Sequence, residues 1–323
     1  MSAFFKSLGA AVIAGAFLLP SSATAQTFPS KPIHFVVAFT AGSATDIIAR
    51  VVGDTLAKSL GQPVVIDNKP GAGGTIAAAF VAKAEPDGYT YLVHSAGHAV
   101  NPAIYSNLTY DTLKDFSGVS TLANLPNVLV VPPGKYKTVA ELVAAAKANP
   151  GKLNFGSAGA GSATHMNAEK FRAVAGFDAV HVPFKGTPEA LSETMAGRLD
   201  FFFAPIVSAL QLVKEGKLTA LAVGTAKRAA LLPDVPSTVE LGYAASDFNF
   251  WIGLLAPAKT PREIVNRMNQ EVIKALQSSE VRERFATLGA EPFPMKPAEF
   301  DAYVKSEVAL NAGIVKAAGI KVN

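Results

Sequence analysis

The sequence predicts an α/β protein of two lobes, and three observations carry that prediction. Strand-length hydrophobic runs alternate with helix-period stretches from Ile33 onward, the βαβ rhythm of a mostly parallel sheet covered by helices. The rhythm restarts near Val128, so the sheet divides in two. A helical segment closes the chain from Thr260 and returns to the first lobe. Half of the residues are hydrophobic and only 17% are charged, which suits two well-buried domains.

The elements follow in order. Ile33–Phe39 reads as a strand, followed by a helix over Ile47–Leu60 with apolar residues at 47, 48, 51, 52 and 56 and a stop at Gly61. Pro63–Ile66 is a short strand, and Pro70-Gly-Ala-Gly-Gly74 turns into the Ala-rich helix Thr75–Ala84. The turn Pro86-Asp-Gly88 precedes the strand Tyr89–Val93. In the second lobe, Val128–Val131 is a strand and Thr138-Val-Ala-Glu141 is a capping box that opens a helix to about Ala148. Strands at Leu153–Phe155, Val180–Phe184, Leu199–Phe203 and Leu218–Val223 alternate with helices after Thr164, after Thr187 and toward Glu215. A Pro-rich loop, Leu232–Pro236, precedes the strand Phe248–Leu255. Thr260-Pro-Arg-Glu263 combines an N-cap, Pro at the first helical position and an acid in the first turn. Further helices fit Glu280–Leu288 and Pro297–Ala318. Crossings fall near Asn124–Val128 and Asp247–Phe250, which makes lobe 1 residues 26–126 plus 249–323 and lobe 2 residues 127–248.

The first residues address the compartment. Met1–Lys6 carries a positive charge and no acid, Leu8–Leu19 is apolar but too short to span a membrane, and Ala23-Thr-Ala25 supplies a cleavage site. Residues 1–25 are expected to be a signal peptide, cleaved before Gln26, and no Cys stands there to carry a lipid. No later stretch holds 18 unbroken apolar residues, so a soluble mature protein is expected. The chain has no Cys at all, which removes disulfides, thiolate catalysis and Cys-ligated metals. Its 29 Lys and Arg against 25 acids are scattered, without the basic run or aromatic interleaving of a nucleic-acid surface. A mild positive balance suits capture of small acids.

The tetrapeptide Gly-Ser-Ala-Thr occurs at 42–45 and again at 161–164, each time between a strand-like run and a helix-like one. Such a junction exposes backbone N–H groups at the positive end of a helix dipole, a ready anion site. Ser and Thr also cap helices routinely. Two such loops at equivalent places in two lobes, rich in Gly where backbone must approach a ligand, favour one ligand gripped from both sides. Asp46 either orients Thr45 and a ligand donor or serves as a first-turn acid beside the dipole. His94-Ser-Ala-Gly-His98 sets two His four apart, but Gly97 and the preceding strand make it a loop, and no acid at zinc-like spacing follows. Ser95 and His98 then line the cleft at a strand's C-terminal edge, where α/β ligands sit. His165 either donates to a carboxylate or is a buried ring. No metal and no cofactor is expected.

A secreted serine hydrolase is the enzymatic alternative. The G-x-S-x-G elbow fails at Ser157, where Phe155 stands in the first Gly position, and at Ser162, where Ala160 does. The Gly-rich segments 71–74 and 156–161 match neither G-x-G-x-x-G nor the P-loop.

Several segments in order carry a resemblance: Phe28-Pro-Ser-Lys-Pro-Ile33, Ala44-Thr-Asp46, Gly61-Gln-Pro-Val-Val-Ile-Asp-Asn-Lys-Pro-Gly-Ala-Gly-Gly74, Pro86-Asp-Gly-Tyr89, Leu113-Lys-Asp-Phe116, His181-Val-Pro-Phe-Lys-Gly186, Ala226-Lys-Arg228, Leu232-Pro-Asp-Val-Pro236 and Gly253-Leu-Leu-Ala-Pro257. Over essentially the whole mature chain the sequence resembles the Bug-type solute receptors of tripartite tricarboxylate transporters. The resemblance implies a two-lobed periplasmic binding protein fold, type II-like, closing on a small carboxylate by a hinge. It further implies a periplasmic monomer that hands its ligand to integral-membrane transporter subunits, with no catalysis; a carboxylate sensor would use the same fold. By position it places the first ligand loop at Phe39, Thr40, Ala41, Gly42, Ser43, Thr45 and Asp46. The second falls at Ser157, Gly159, Gly161, Ser162 and His165, with Ser95, His98, Asn101, Pro183, Phe184, Lys185, Ala204 and Pro205 completing the cleft. Phe39, Phe155, Phe184 and Trp251 are candidates for an apolar wall or for the core, and an apolar wall would admit an aromatic acid.

Two departures from the family pattern bear on specificity. The first loop, usually Pro-Phe-Pro-Pro-Gly-Gly, reads Ala38-Phe-Thr-Ala-Gly-Ser43 here, losing two prolines and gaining two hydroxyls. In Phe203-Ala-Pro205 an Asp common in relatives is Ala204, which removes a partner for a ligand amine. The first departure implies a less stiff loop able to donate more hydrogen bonds; the second points to an acid without an amino group.

Overall fold

The computed structural model describes residues 28–317 and Ile320. The expected signal peptide and Ala318 lie outside these residues. Two sheets form, each flanked by helices. The first has the order β11-β4-β10-β3-β1-β2, built from β1 (Ile33–Val37), β2 (Val64–Asn68), β3 (Thr90–Ser95), β4 (Phe116–Leu125), β10 (Phe250–Pro257) and β11 (Glu291–Pro292). The second has the order β7-β6-β8-β5-β9, built from β5 (Asn127–Val131), β6 (Asn154–Ser157), β7 (Val180–Pro183), β8 (Phe201–Pro205) and β9 (Thr219–Val223). Both are mixed. β1 lies parallel to β2 and β3, and β6 parallel to β7 and β8, as right-handed βαβ units require. β10 runs antiparallel to β3 and β4, and β5 antiparallel to β8 and β9. These reversed strands are the ones that arrive directly from the other lobe, with no helix to turn the chain.

Helices α1 (Ala44–Leu60), α2 (Thr75–Ala82) and α3 (Gly97–Ile104) pack on the first sheet with α8 (Arg262–Gln277), α9 (Ser279–Leu288) and α10 (Pro297–Ala317). The second sheet carries α4 (Val139–Ala148), α5 (Ala163–Ala175), α6 (Thr187–Met195) and α7 (Ile206–Lys214). The Thr138 cap forms, Thr138 Oγ1 accepting from the Glu141 amide at 3.1 Å, while Glu141 accepts at 2.7 Å from the amide of Lys137, one residue before the position a capping box uses.

Several expectations shift. The segment 94–98, read as a loop, instead ends β3 and opens α3; Gly97 at its start and Pro102 inside it are the two residues that disguise so short a helix. β4 has no counterpart in the sequence reading, because Ser120 and Thr121 sit fully buried in its middle and break its hydrophobic run. At α8 the Thr260 hydroxyl makes no cap bond; Pro261 takes the flanking position and the helix begins at Arg262. Of the two readings offered for Phe155 and Trp251 the core one holds without a shift, Phe155 stacked on Phe201 and Trp251 wedged edge-on against Phe300.

Candidate functional site

Three helix N-termini converge between the sheets. α1 starts just past β1, α5 just past β6, and α6 just past β7, so each follows the C-terminal end of a parallel strand. The first-turn amides of a helix have no intrahelical acceptor. At α5 much of this demand is met locally, whereas Gly186 gives α6 no side-chain cap. Ser162 Oγ accepts from the His165 amide at 3.3 Å, Thr164 Oγ1 accepts from the Ala158 amide at 2.9 Å, and His165 Nδ1 accepts from the Gly161 amide at 3.1 Å. Ser157 Oγ accepts from the Gly159 amide at 3.0 Å and lies 2.6 Å from His181 Nε2. The second loop is therefore internally tied.

The first loop is different. Ser43, the residue flanking α1, makes no cap bond within its own helix. Its Oγ reaches across to accept from the Thr187 amide at 3.1 Å. The Thr45 hydroxyl is buried, 1% exposed, and has no hydrogen-bond partner among the described residues. Asp46 fixes the loop from behind: it accepts from the Gly42 amide at 2.9 Å, from Asn68 Nδ2 at 3.0 Å and from Arg50 Nη2 at 2.9 Å. Burial of this carboxylate raises its pKa, but the bonds from Arg50, Gly42 and Asn68 outweigh burial and hold it below the usual value.

Phe39, Ser43, Thr45, Ser95 and Ser162 share one small cavity of about 10 Å³ with Thr164, Thr187 and Phe250, room for about one water-sized group. The lobes meet around it. Thr40 Oγ1 donates to Glu189 Oε2 at 3.1 Å, Ser208 Oγ to the Gly42 carbonyl at 3.4 Å, and Tyr105 OH to the Ala160 carbonyl at 3.0 Å. A separate, larger groove of about 570 Å³ lies between the lobes, where Gly159, Pro183, Phe184, Lys185 and Glu189 of lobe 2 face Gly73 and Tyr105 of lobe 1.

The remaining candidates are placed around this centre. Ala41 and Gly42 form an exposed rim, with Gly42 against Pro188. Asn101 and Gly161 touch beside the Tyr105 contact. His165 stacks on His181 at 3.9 Å behind the second loop. His98 is fully buried between Tyr110 and Phe116, away from the cavity lining. Ala204 and Pro205 end β8, buried and paired with Val128 and Asn127. Burial holds His94 and His181 down to about 4, and His98 and His165 well below their ordinary value, so all four rings are neutral. Sequence reasoning left out Thr187 and Phe250. Gly186-Thr187-Pro188 was the available signal for the first, a helix start with Pro in its first turn; Phe250 carries none, since only the crossing of the chain brings it to the cleft.

Comparison with known proteins places this geometry in a family. The family model described as tripartite tricarboxylate transporter family receptor matches residues 48–320. Among solved structures, the periplasmic binding protein BugD is 32% identical, covering 91% of this chain and 100% of its own, with a TM-score of 0.88. Rpa4515 of R. palustris, solved with adipate, is 34% identical over 91% and 100% of the two chains at a TM-score of 0.88. MatC from Rhodopseudomonas palustris, solved with bound malate, is 35% identical over 89% and 100% at 0.85. The chain belongs to the tripartite tricarboxylate transporter receptor family.

Proposed function

We propose that this protein is the periplasmic receptor of a tripartite tricarboxylate-type secondary transporter, a non-catalytic monomer that captures a small carboxylate by closure of its two lobes. One observation carries the reading: the uncapped N-terminus of α1 and the partnerless, buried Thr45 hydroxyl face the N-termini of α5 and α6 across a cavity lined by Ser43, Ser95, Ser162, Thr164 and Thr187. An anion is what such donors accept best. As closed, the cavity has room for about one water-sized group, a single carboxylate oxygen, so the lobes part to admit the ligand, and the groove that holds Phe184 is the proposed place for a linear or aromatic body. No carboxylate lines the cavity to meet an ammonium group, and a plain mono- or dicarboxylate is the expected class. The adipate and malate bound by its relatives support this choice. Micromolar capture needs about 8 kcal/mol, within reach of several charge-assisted hydrogen bonds less the cost of ordering the closed state.

A thermal-shift screen of the purified protein against mono-, di- and amino-carboxylates tests the reading, because a ligand bound only by the folded state raises its melting temperature. Stabilisation by plain carboxylates such as adipate or malate is expected. A response confined to aspartate or glutamate, or none from any acid, overturns it. Model esters should show no turnover, with or without Ser157→Ala, despite the Ser157–His181 contact.

A further inference from the structure

The connecting strands separate two gaps between the lobes. On one side lies the cleft, lined from the ends of β1 and β3. On the other, beyond β4 and β11, lies a cavity of about 730 Å³, the size of a small-molecule site. One wall comes from lobe 2: Ile206 and the segment 225–231. The opposite wall comes from α9 and β11, and residues 124–126, where β4 crosses into β5, form its back. Gly289 at the end of α9 sits against Ile206 and Leu231 and floors it.

Its chemistry is two-sided. Ile206, Leu231, Ala286, Ala290 and Pro292 give an apolar floor, while Lys227, Arg228 and Arg282 stand at its edge with Glu291. Arg228 is committed to Glu240 at 2.8 Å. Lys227 from one lobe and Arg282 from the other are exposed and have no ion-pair partner among the described residues. Two unpaired cations over an apolar floor select an amphipathic anion.

We propose that this cavity is a second ligand site, taking an amphipathic organic anion between Lys227 and Arg282, and that its occupancy favours closure of the cleft. The lever is geometric. The cleft and the cavity flank the same connectors, so rotation that narrows one widens the other. Here the Thr40–Glu189 and Tyr105–Ala160 bonds join the two sides of the cleft and leave about 10 Å³ at the helix termini, while the rear cavity stands open. A molecule that fits only the open cavity binds the closed form better and shifts the population toward it. Linkage then requires the cleft ligand to tighten binding at the rear by the same factor.

The probe is 8-anilinonaphthalene-1-sulfonate, an aromatic anion whose fluorescence reports an apolar site. Purified protein should titrate to saturation. Lys227→Ala and Arg282→Ala should each weaken the probe at least fivefold, and Ala286→Trp, which fills the floor from an exposed position, should abolish binding. The chain lacks Cys, so Asn107→Cys and Lys147→Cys, one on each lobe, take spin labels alone. Saturating probe should then shift their distance distribution toward that of the closed structure. Equal affinity in all three cavity variants overturns the site, and an unchanged distance distribution overturns its coupling to closure.

Discussion

Thr45 holds a hydroxyl in a place where none of the described residues bonds to it, at a cost of about 1–3 kcal/mol for an unsatisfied buried polar group. Such a cost is tolerated where a ligand removes it. Thr45→Val keeps the shape and deletes the hydroxyl; the ligand-free melting temperature should hold or rise, while calorimetry should show carboxylate affinity falling about tenfold, roughly 1.4 kcal/mol. Unchanged affinity would show that Thr45 faces no ligand. The histidines give a second prediction at this scale. Burial depresses the folded pKa of His94 and His181 to about 4 from an ordinary 6.5, and lowers His98 and His165 in the same direction. The unfolded chain therefore binds protons that the folded rings refuse, so stability is full above about pH 6.5 and falls as pH drops toward 4, by up to about 3 kcal/mol for each of His94 and His181. Asp46, whose pKa lies below 3.8, titrates beneath this window and does not obscure it. Melting temperatures at pH 7.5, 6 and 5 should decline in order; a flat series would contradict the neutral burial of these rings.

At the scale of elements, the Thr138 cap of α4 is the most separable device. Thr138→Ala removes one cap bond and should cost about 1 kcal/mol, a fall in melting temperature of about 2 °C, with carboxylate affinity untouched because α4 lies far from the cleft; a matching loss of affinity would refute that separation. This helix was legible because a local pattern, Thr followed three residues later by Glu, encodes it. The parallel strand β1 was legible for the same reason, as an apolar run between turn residues, and β3 and β6 as shorter apolar segments before Gly- and Ser-rich turns. β4 and α3 were not. β4 buries Ser120 and Thr121 in its centre, made tolerable by bonds to the Thr121 carbonyl and to Phe293 and Met295 just past β11, and α3 places Gly and Pro inside a helix held by tertiary packing. The site shows the same division. Ser43, Thr45 and Ser162 stood out because a strand, a small-residue loop and a helix follow one another in sequence. Thr187 and Phe250 reach the same cavity only through the crossing of the chain between lobes, which no local pattern records.

For the whole molecule, closure rests on small residues at the line of contact. Gly73 has φ +59° and lies so close to Ala160 that a methyl group there would overlap its carbonyl oxygen. Gly73→Ala should cost about 1 kcal/mol in lobe 1 for the left-handed backbone and, by propping the lobes apart, weaken carboxylate binding more than tenfold. Solution scattering should then find no compaction on adding ligand, and compaction equal to that of the unmodified protein would remove Gly73 from the hinge argument. The unequal saturation of the two jaws has a temporal consequence. The second loop enters an encounter with its donors already engaged, whereas α1 offers an uncapped terminus and the free Thr45 hydroxyl. We expect an arriving acid to land on lobe 1 first, with lobe 2 folding over a passenger already seated. Related acids should share one association rate and differ in residence time, since departure waits on parting the Ser43–Thr187 and Tyr105–Ala160 contacts. The receptor's discrimination is then exercised in how long it holds a molecule, not in how readily it admits one.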